Sequence, residues 1–316
     1  MTNSIQAYQE ISPVTVLVSG SNVLDRLLAD KRSINTKQAY LKDLNVFSEM
    51  LNMSLAFFLQ LTRGEALEIA LQFKAKLIEA GLSEATVNRR LSSLKALAKM
   101  GKLLEVCDWD LKEVEGETIQ SYRDTSGVST ETFKQVLNGV KRETVKGTRD
   151  YALLRLLWEA GLRRGEVAKL TWADLDLAGL RLSILGKGRG TQKEEITITP
   201  SLVKALIAWR EVSPASSIDS PMFVSLDRAK AGNRLTGDGL YKLIRGYFAG
   251  VNPDKVMSPH RIRHSVLTEL LDKSNGNVSS VQKFSRHKNL NTLMIYDDNR
   301  KNSQGEMAGL ASSMLD

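Results

Sequence analysis

The residues of this 316-residue chain best suited to chemistry cluster in its C-terminal part. All three histidines, His260, His264 and His287, lie between residues 260 and 287, and Tyr296 follows nine residues after the last of them in "SRHKNLNTLMIYDDNR". A phenol is the obvious nucleophile in this stretch. Because an unperturbed tyrosine titrates near pH ~10, its attack needs neighbouring cations and a proton acceptor.

Two segments supply cations at suitable spacing. In "GLRRGE", Arg163 follows a glycine that stops a helix, and Glu166 stands three residues on, near the start of the next helix, where its carboxylate can hold the guanidinium. In "HRIRH", His260 and Arg263 are three apart and share one face of a helix. An arginine fork binds two nonbridging oxygens of a phosphate at once. The pattern therefore indicates chemistry on a phosphate.

A lysine occupies the tip of a predicted β-hairpin. The segments "RLSILG" and "EEITITP" alternate as strands do, and the loop between them contains Lys187 in "GKGRG". The flanking glycines let the backbone approach a ligand closely, so Lys187 can reach into a groove and serve as a proton donor.

Taken together in this order, the motifs resemble those of the tyrosine recombinases, the integrase family that includes Xer, Cre and many transposon and phage enzymes. "GLRRGE" matches the first arginine box, Lys187 the hairpin lysine and "HRIRH" the histidine-x-x-arginine box. His287 and Tyr296 match the last histidine and the nucleophile. The resemblance covers residues 129–300 at the level of motifs.

The resemblance implies a reaction. Tyr296 attacks a scissile DNA phosphate, which gives a 3′-phosphotyrosyl enzyme and a free 5′-hydroxyl, and no metal, ATP or other cofactor takes part. Arg163 and Arg263 offset the charge that grows on the nonbridging oxygens.

The remaining roles follow from the same resemblance. Lys187 is the general acid for the leaving 5′-oxygen, His260 acts in proton transfer with the tyrosine, and His287 hydrogen-bonds the phosphate. Glu166 orients Arg163 in a supporting role. His264 matches a second histidine of the family and is interpreted as structural rather than catalytic.

Four positions depart from the commonest family pattern. Where many members have leucine and glycine before the last histidine, this chain has Ser285 and Arg286. Asp297 and Asp298 follow the tyrosine and can alter its local potential without changing its identity.

Length and periodicity predict the elements that position these residues. A chain of this size divides into two domains by default, and the pattern favours a mainly α fold with a small antiparallel β-sheet. The predicted divisions are an N-terminal tail (1–22), a helical domain (23–112), a linker (113–128), an α+β domain (129–300) and a C-terminal segment (301–316). The resemblance implies that the helical domain is a core-binding, SAM-like domain and that the α+β domain is the catalytic integrase domain.

The helix from residue 83 to 100 is the candidate DNA-binding element of the first domain. Ser83 is its predicted N-cap, and Val87, Leu91 and Leu94 lie on its apolar face. Small hydroxyl and basic side chains fall on the remaining surface, where they suit close approach to DNA: Arg89, Arg90, Ser92, Ser93, Lys95 and Lys99.

Composition is compatible with a nucleic-acid partner. The net charge of +8 suits a polyanion, and a single cysteine with no signal or membrane segment predicts a cytoplasmic protein. The resemblance implies double-stranded DNA with specific recombination sites as the partner, a monomer in solution, and a homotetramer on two DNA sites that passes through a Holliday junction. The apolar spacing of Met307, Leu310 and Met314 predicts a short C-terminal helix. The resemblance implies that this helix docks on a neighbouring protomer, and docking on its own domain is the alternative.

Three other readings stay open at this point. A type IB topoisomerase uses a similar residue set to relax supercoiled DNA. A non-catalytic DNA-binding protein can share the scaffold. A metal nuclease can be drawn with His287, Asp297 and Asp298 as ligands, although no hydrolase-type ligand spacing supports it.

Overall fold

A computed structural model describes residues 20–119, 127–186, 192–251, 256–287, 293, 308 and 311–314. The chain divides into two compact units, residues 1–120 (unit 1) and 121–316 (unit 2). The fold is mainly helical with one three-stranded antiparallel sheet, which confirms the predicted fold class. None of the described helices combines the length and apolarity needed to span a bilayer.

Unit 1 is a helical domain built on an aromatic core. Phe47 packs edge-on against Phe58 and Phe73, with ring centroids 4.9 and 5.1 Å away, and Trp109 closes the cluster against Phe58. The helices are α1 (Gly20–Ala29), α2 (Ile34–Leu51), α3 (Leu55–Phe58), α4 (Arg63–Glu79) and α5 (Glu84–Leu103).

Local sequence explains where these helices begin. Thr62 and Glu65 form a reciprocal capping box at the start of α4. Ser83 precedes α5 at the predicted N-cap position, but its side chain makes no capping hydrogen bond and lies instead 3.0 Å from the hydroxyl of Thr86. The predicted N-cap position is therefore confirmed.

The first residues of the predicted linker are fastened to unit 1. Val114 is buried in its core. The side chain of Asn88 in α5 donates to the carbonyl of Glu117 at 2.8 Å and accepts from the Glu117 N–H at 2.6 Å. The first domain therefore extends beyond the predicted boundary at residue 113. Its last residues show few periodic apolar positions, and the contact that holds them comes from Asn88, which is distant in sequence.

Unit 2 surrounds helix α7, which is buried on nearly every side and packs against α9. Strand β2 lies between β1 and β3, and Leu182 pairs with both Leu175 and Ile196. A short 3-10 helix (Trp172–Asp174) precedes the sheet. The elements are α6 (Thr130–Asn138), α7 (Val145–Ala160), α8 (Arg164–Val167), β1 (Leu175–Asp176), β2 (Arg181–Ile184), β3 (Glu194–Thr197), α9 (Pro200–Val212), α10 (Gly237–Phe248), α11 (Pro259–Lys273) and α12 (Val278–Ser285).

Several predicted features lie outside the described residues. They are Lys187 at the hairpin tip, the nucleophile Tyr296 with Asp297 and Asp298, and Met307 and Leu310 of the C-terminal segment. Met314 is described and is 82% exposed. The proposed docking of that segment stays a prediction.

Candidate active site

The turn between α7 and α8 places the first arginine. Gly161 ends α7 in the left-handed conformation (φ +54°), and a Cβ there would lie 2.8 Å from a ring carbon of Phe284. Both the backbone angle and the close packing require glycine. Arg163 then takes the N-cap position of α8 with extended backbone angles, and its side chain is 31% exposed.

Glu166 holds Arg163 from the third position of α8. Its Oε2 accepts the backbone N–H of Arg163 at 2.8 Å, and its Oε1 accepts Nη1 of the same residue at 2.8 Å. Burial by itself would raise the pKa of the Glu166 carboxyl, but the Arg163 N–H and the charges of Arg286 and Arg163 outweigh burial and hold this pKa below its usual value. Glu166 is therefore an ionised, buried anchor, as predicted from its spacing.

Arg263 ties three helices together from α11. Its side chain is among the largest that are fully buried in the chain. Nη1 donates to the carbonyl of Gly161 at the end of α7, and Nη2 donates to the carbonyl of Ser285 at the end of α12. The guanidinium is thus fixed beside the turn that carries Arg163.

His287 lies next to Arg263 and is oriented by Ser285. Nη2 of Arg263 is 3.4 Å from Nε2 of His287, and the Ser285 hydroxyl is 2.9 Å from Nδ1. Because that hydroxyl donates its proton to the carbonyl of Gln282 at 3.1 Å, it accepts a proton from Nδ1–H. The hydrogen-bond network therefore assigns the neutral tautomer with the proton on Nδ1 and the Nε2 lone pair facing Nη2 of Arg263.

Two histidines of the site are held neutral. Burial, followed by the charges of Arg263 and Arg163, lowers the pKa of His287 to about 4. Burial, followed by His260, lowers the pKa of His264 to about 3. His260 is exposed near the start of α11, and its ring packs edge-on against His264 with centroids 4.2 Å apart.

The described part of the site thus brings together the residues predicted from "GLRRGE", "HRIRH" and the last histidine: Arg163, Glu166, His260, Arg263, His264 and His287. Lys187 and Tyr296 lie outside the described residues, so the structure leaves their roles as predictions. Among the described residues there is no group of three or more His, Cys, Asp or Glu side chains arranged to hold a metal ion.

Ser285 and Arg286 depart from the family pattern, and their positions in the sequence predict no role for them. The structure places both in the site, with Ser285 on Nδ1 of His287 and Arg286 on Oε2 of Glu166 at 3.1 Å. The signal that could have revealed them was the polar, charged pair at positions where many relatives have leucine and glycine. Their partners are not visible from spacing, since Glu166 lies 120 residues away in sequence from Arg286.

The predicted DNA-binding face of α5 is partly corrected. Arg89 is exposed, but its Nη1 binds both oxygens of Asp43 in α2 at 2.5 Å. Ser93 is fully buried and donates to Asp43 at 2.9 Å. The prediction that Ser93 faces DNA is therefore wrong, because a buried carboxylate distant in sequence recruits its hydroxyl into the interior.

The other residues of that face keep some exposure. Ser92 and Lys99 are exposed, and Arg90 and Lys95 are half-buried. The Ser92 hydroxyl donates to the carbonyl of Asn88 one turn earlier, at 2.7 Å.

Comparison with known proteins identifies the class. The model of the phage integrase family matches residues 127–303, and that of the phage integrase N-terminal SAM-like domain matches residues 24–102. A tyrosine recombinase of Synechococcus elongatus is 42% identical over 300 residues, which cover 93% of this chain and 94% of the relative. A tyrosine recombinase of Synechocystis sp. strain PCC 6803 is 39% identical over 312 residues, 96% of this chain and 99% of the relative.

Solved structures agree in fold. The XerH site-specific recombinase bound to a palindromic difH substrate superimposes with a TM-score of 0.66 at 21% identity, over 93% of this chain and 85% of that chain. A lambda integrase dimer bound to a core site gives 0.62 at 13% identity, over 89% and 96%. The chain belongs to the phage integrase family and is an enzyme of the tyrosine recombinase class.

Proposed function

We propose that this recombinase cleaves and rejoins DNA strands at specific sites through a 3′-phosphotyrosyl intermediate formed by Tyr296. The phenolate oxygen attacks the scissile phosphorus, and the bond to the 5′-oxygen breaks. That 5′-hydroxyl, or one from a partner duplex, then attacks the phosphotyrosine and releases the tyrosine. The two steps conserve the phosphodiester energy, so the reaction needs neither ATP nor a metal.

The proposal is supported above all by the fixed cluster of cations beside a neutral histidine. Arg263 is held by the carbonyls of Gly161 and Ser285, Arg163 is held by Glu166, and His287 lies 3.4 Å from Arg263. Donors held in place before the reaction stabilise charge that develops on a phosphate without reorganising, an effect worth ~2.7–4 kcal/mol per donor at comparable sites.

Proton transfers complete the proposed mechanism. Lys187 protonates the leaving 5′-oxygen, and His260, exposed at the start of α11, exchanges a proton with Tyr296. His287 donates to a nonbridging oxygen after its ring loses the Nδ1 proton to water and gains one from water on Nε2. The Ser285 hydroxyl permits that exchange, because it can rotate from the Gln282 carbonyl and donate to Nδ1 instead.

DNA binding in this proposal uses both domains. The core-binding domain presents α5, and residues between the two domains link it to the catalytic domain so that both close on the duplex. Four protomers join two sites and pass through a Holliday junction, with residues 301–316 docked on a neighbour, and the reaction takes place in the cytoplasm. Support comes from fold relatives whose structures contain DNA, such as XerH after cleavage of difH and the Tn1549 integrase with circular intermediate DNA.

Trapping the covalent complex tests the nucleophile. Duplexes bound by the protein are first selected from a random-sequence library, and the selected site is then rebuilt with a nick that lets the cleaved end diffuse away. Wild-type protein is expected to give a protein–DNA adduct that survives SDS, and Tyr296→Phe is expected to give none while it binds the same duplex with similar affinity. An adduct with Tyr296→Phe would refute the assignment.

A plasmid assay separates recombination from topoisomerase activity. We expect no relaxation of supercoiled plasmid that lacks the selected site, and strand exchange between two plasmids that carry it. Relaxation of any plasmid without a site requirement would instead indicate a type IB topoisomerase.

A further inference from the structure

Arg286 has an unusual backbone for its residue type. It caps α12 with φ +57° and ψ +36°, in the left-handed region. Glycine adopts this conformation freely, whereas any side chain is disfavoured there by contact of Cβ with the backbone. Conformations of this kind persist where the surroundings enforce them, and they concentrate at functional sites. An arginine at this position therefore requires a compensating interaction.

The side chain of Arg286 is fixed inside the site. Only 5% of it is exposed. Nη1 donates to the carbonyls of Phe284 at 3.0 Å and Ala160 at 3.4 Å, and Nη2 donates to Oε2 of Glu166 at 3.1 Å. Its Nε is buried and has no hydrogen-bond partner among the described residues. The position of this guanidinium thus comes with two unfavourable features, the unpaired Nε and the left-handed backbone of Arg286.

The consequence is that two arginines share one carboxylate. Oε1 of Glu166 binds Nη1 of Arg163, and Oε2 binds both the backbone N–H of Arg163 and Nη2 of Arg286. Without Arg286, Arg163 and Glu166 would form a neutral pair. With it, the three side chains carry a net charge of +1. The carboxylate is also held from both sides, so it cannot swing away from Arg163.

We propose that Arg286 is a positioning residue for Arg163, which acts through Glu166 and keeps a surplus positive charge where the scissile phosphate binds. This inference rests on the proposed function.

The test is the rate of covalent adduct formation by Arg286→Gly on the nicked duplex described above, with enzyme in excess and at saturation. Glycine suits φ +57°, so the variant removes the side chain without adding backbone strain. We expect the rate to fall about 10- to 100-fold, because a small misplacement of a catalytic group costs that much. Affinity for the duplex should stay within about 2-fold. Arg155→Ala removes an arginine paired with a different carboxylate, Glu159, and serves as the matched control with a wild-type rate.

A double-mutant cycle with Glu166→Gln separates positioning from general stabilisation. If Arg286 acts through Glu166, Arg286→Gly should slow the Glu166→Gln protein by less than about 3-fold. An undiminished effect in that background would overturn the positioning role, because Arg286 would then act by its charge alone and not through Glu166. Added guanidinium ion should partly restore the rate of Arg286→Gly, which a purely structural defect would not allow.

The remaining outcomes are also decisive. If wild-type protein forms no adduct, the proposed function fails rather than this inference. If wild-type protein forms the adduct and Arg286→Gly matches its rate, Arg286 has no positioning role. Should the glycine variant not fold, Arg286→Gln is measured in the same cycle, and a wild-type rate for that variant would equally reject the proposal.

Discussion

Each unit of the molecule holds an arginine against a buried carboxylate, but the two carboxylates bind different numbers of guanidinium groups. In unit 1, Asp43 binds one guanidinium, that of Arg89, and one neutral hydroxyl, that of Ser93. In unit 2, Glu166 binds two guanidinium groups. The first cluster therefore sums to zero charge and the second to +1.

Under the proposed function, the difference corresponds to two uses of an arginine on DNA. Phosphate transfer gains from surplus positive charge, because charge develops on the phosphate in the transition state. Site recognition gains from a guanidinium with a fixed direction, since unspecific attraction to phosphates strengthens binding to every sequence alike. We infer that Glu166 increases the rate of the cleavage step, and that Asp43 increases the selectivity of binding for the specific DNA site. Substitution of each carboxylate by its amide tests this contrast.

The largest effect is expected for Glu166→Gln. The amide keeps the shape but turns an NH₂ group toward a donor of Arg163 or Arg286, so Arg163 loses its fixed position. We predict a roughly 100-fold slower formation of the covalent adduct with affinity for the selected duplex within about 2-fold. The buried donor left unpaired should also lower the free energy of unfolding by about 1–3 kcal/mol, measurable by urea denaturation.

The matched change, Asp43→Asn, controls for the loss of a buried carboxylate. It should leave the rate at saturating enzyme unchanged, because unit 1 takes no part in the chemical step. A slow Asp43→Asn protein, or a Glu166→Gln protein with normal rate and weak binding, would contradict the division of roles.

A smaller effect on selectivity is expected from Asp43→Asn itself. Release of Arg89 frees a cation that can bind any phosphate, while the fixed direction is lost. We predict that the ratio of affinities for the selected duplex and for unrelated DNA falls about 10-fold, a loss comparable to one specific contact. Competition binding at fixed salt measures this ratio.

Lys99→Ala provides the contrast on the same helix. Removal of an exposed lysine that contacts phosphate should weaken binding to both duplexes equally and reduce the slope of log affinity against log salt by about 0.9.

The role proposed for Asp43 would be rejected if Asp43→Asn left the ratio of affinities for the selected duplex and unrelated DNA unchanged.

The regular elements of the fold were accessible from sequence because their signals are local. The end of α7 at Gly161, the strands on either side of the hairpin loop and the helices α10 to α12 follow from periodicity and turn chemistry within short windows. Arg163 and Glu166 belong to the same category, since three residues of spacing and a helix start bring them together.

The features that escaped prediction depend on partners distant in sequence. Ser93 adjoins the apolar stripe of α5, so its spacing fits either a solvent-facing or an interior position. Asp43, 50 residues earlier, accepts a hydrogen bond from the Ser93 hydroxyl and so stabilises the interior position. Arg286 is a similar case, because a charged residue in a glycine conformation is explained only by Glu166. Such contacts are set by tertiary packing and leave no periodic trace.

The smallest predicted effect is the part of the pH dependence of stability that comes from histidines, all three of which lie in unit 2. The unfolded chain binds a proton at each histidine below about pH 6.5, whereas buried His264 stays neutral to about pH 3 and His287 to about pH 4. Because the unfolded state then holds more protons, stability is full above about pH 6.5 and declines as pH falls.

His264→Asn should therefore reduce the pH dependence of unfolding. Each such histidine adds up to ~1.4 kcal/mol per pH unit to the slope of the unfolding free energy between about pH 6 and 4.5. We expect the slope of the variant to be smaller by the contribution of one histidine, even if the variant is less stable than the wild type at every pH. Urea unfolding followed by tryptophan fluorescence reports mainly on unit 2, where Trp158, Trp172 and Trp209 lie, against Trp109 alone in unit 1. Equal slopes in the two proteins would mean that His264 is protonated in the folded state, and that its burial beside His260 and Arg263 does not exclude a second positive charge.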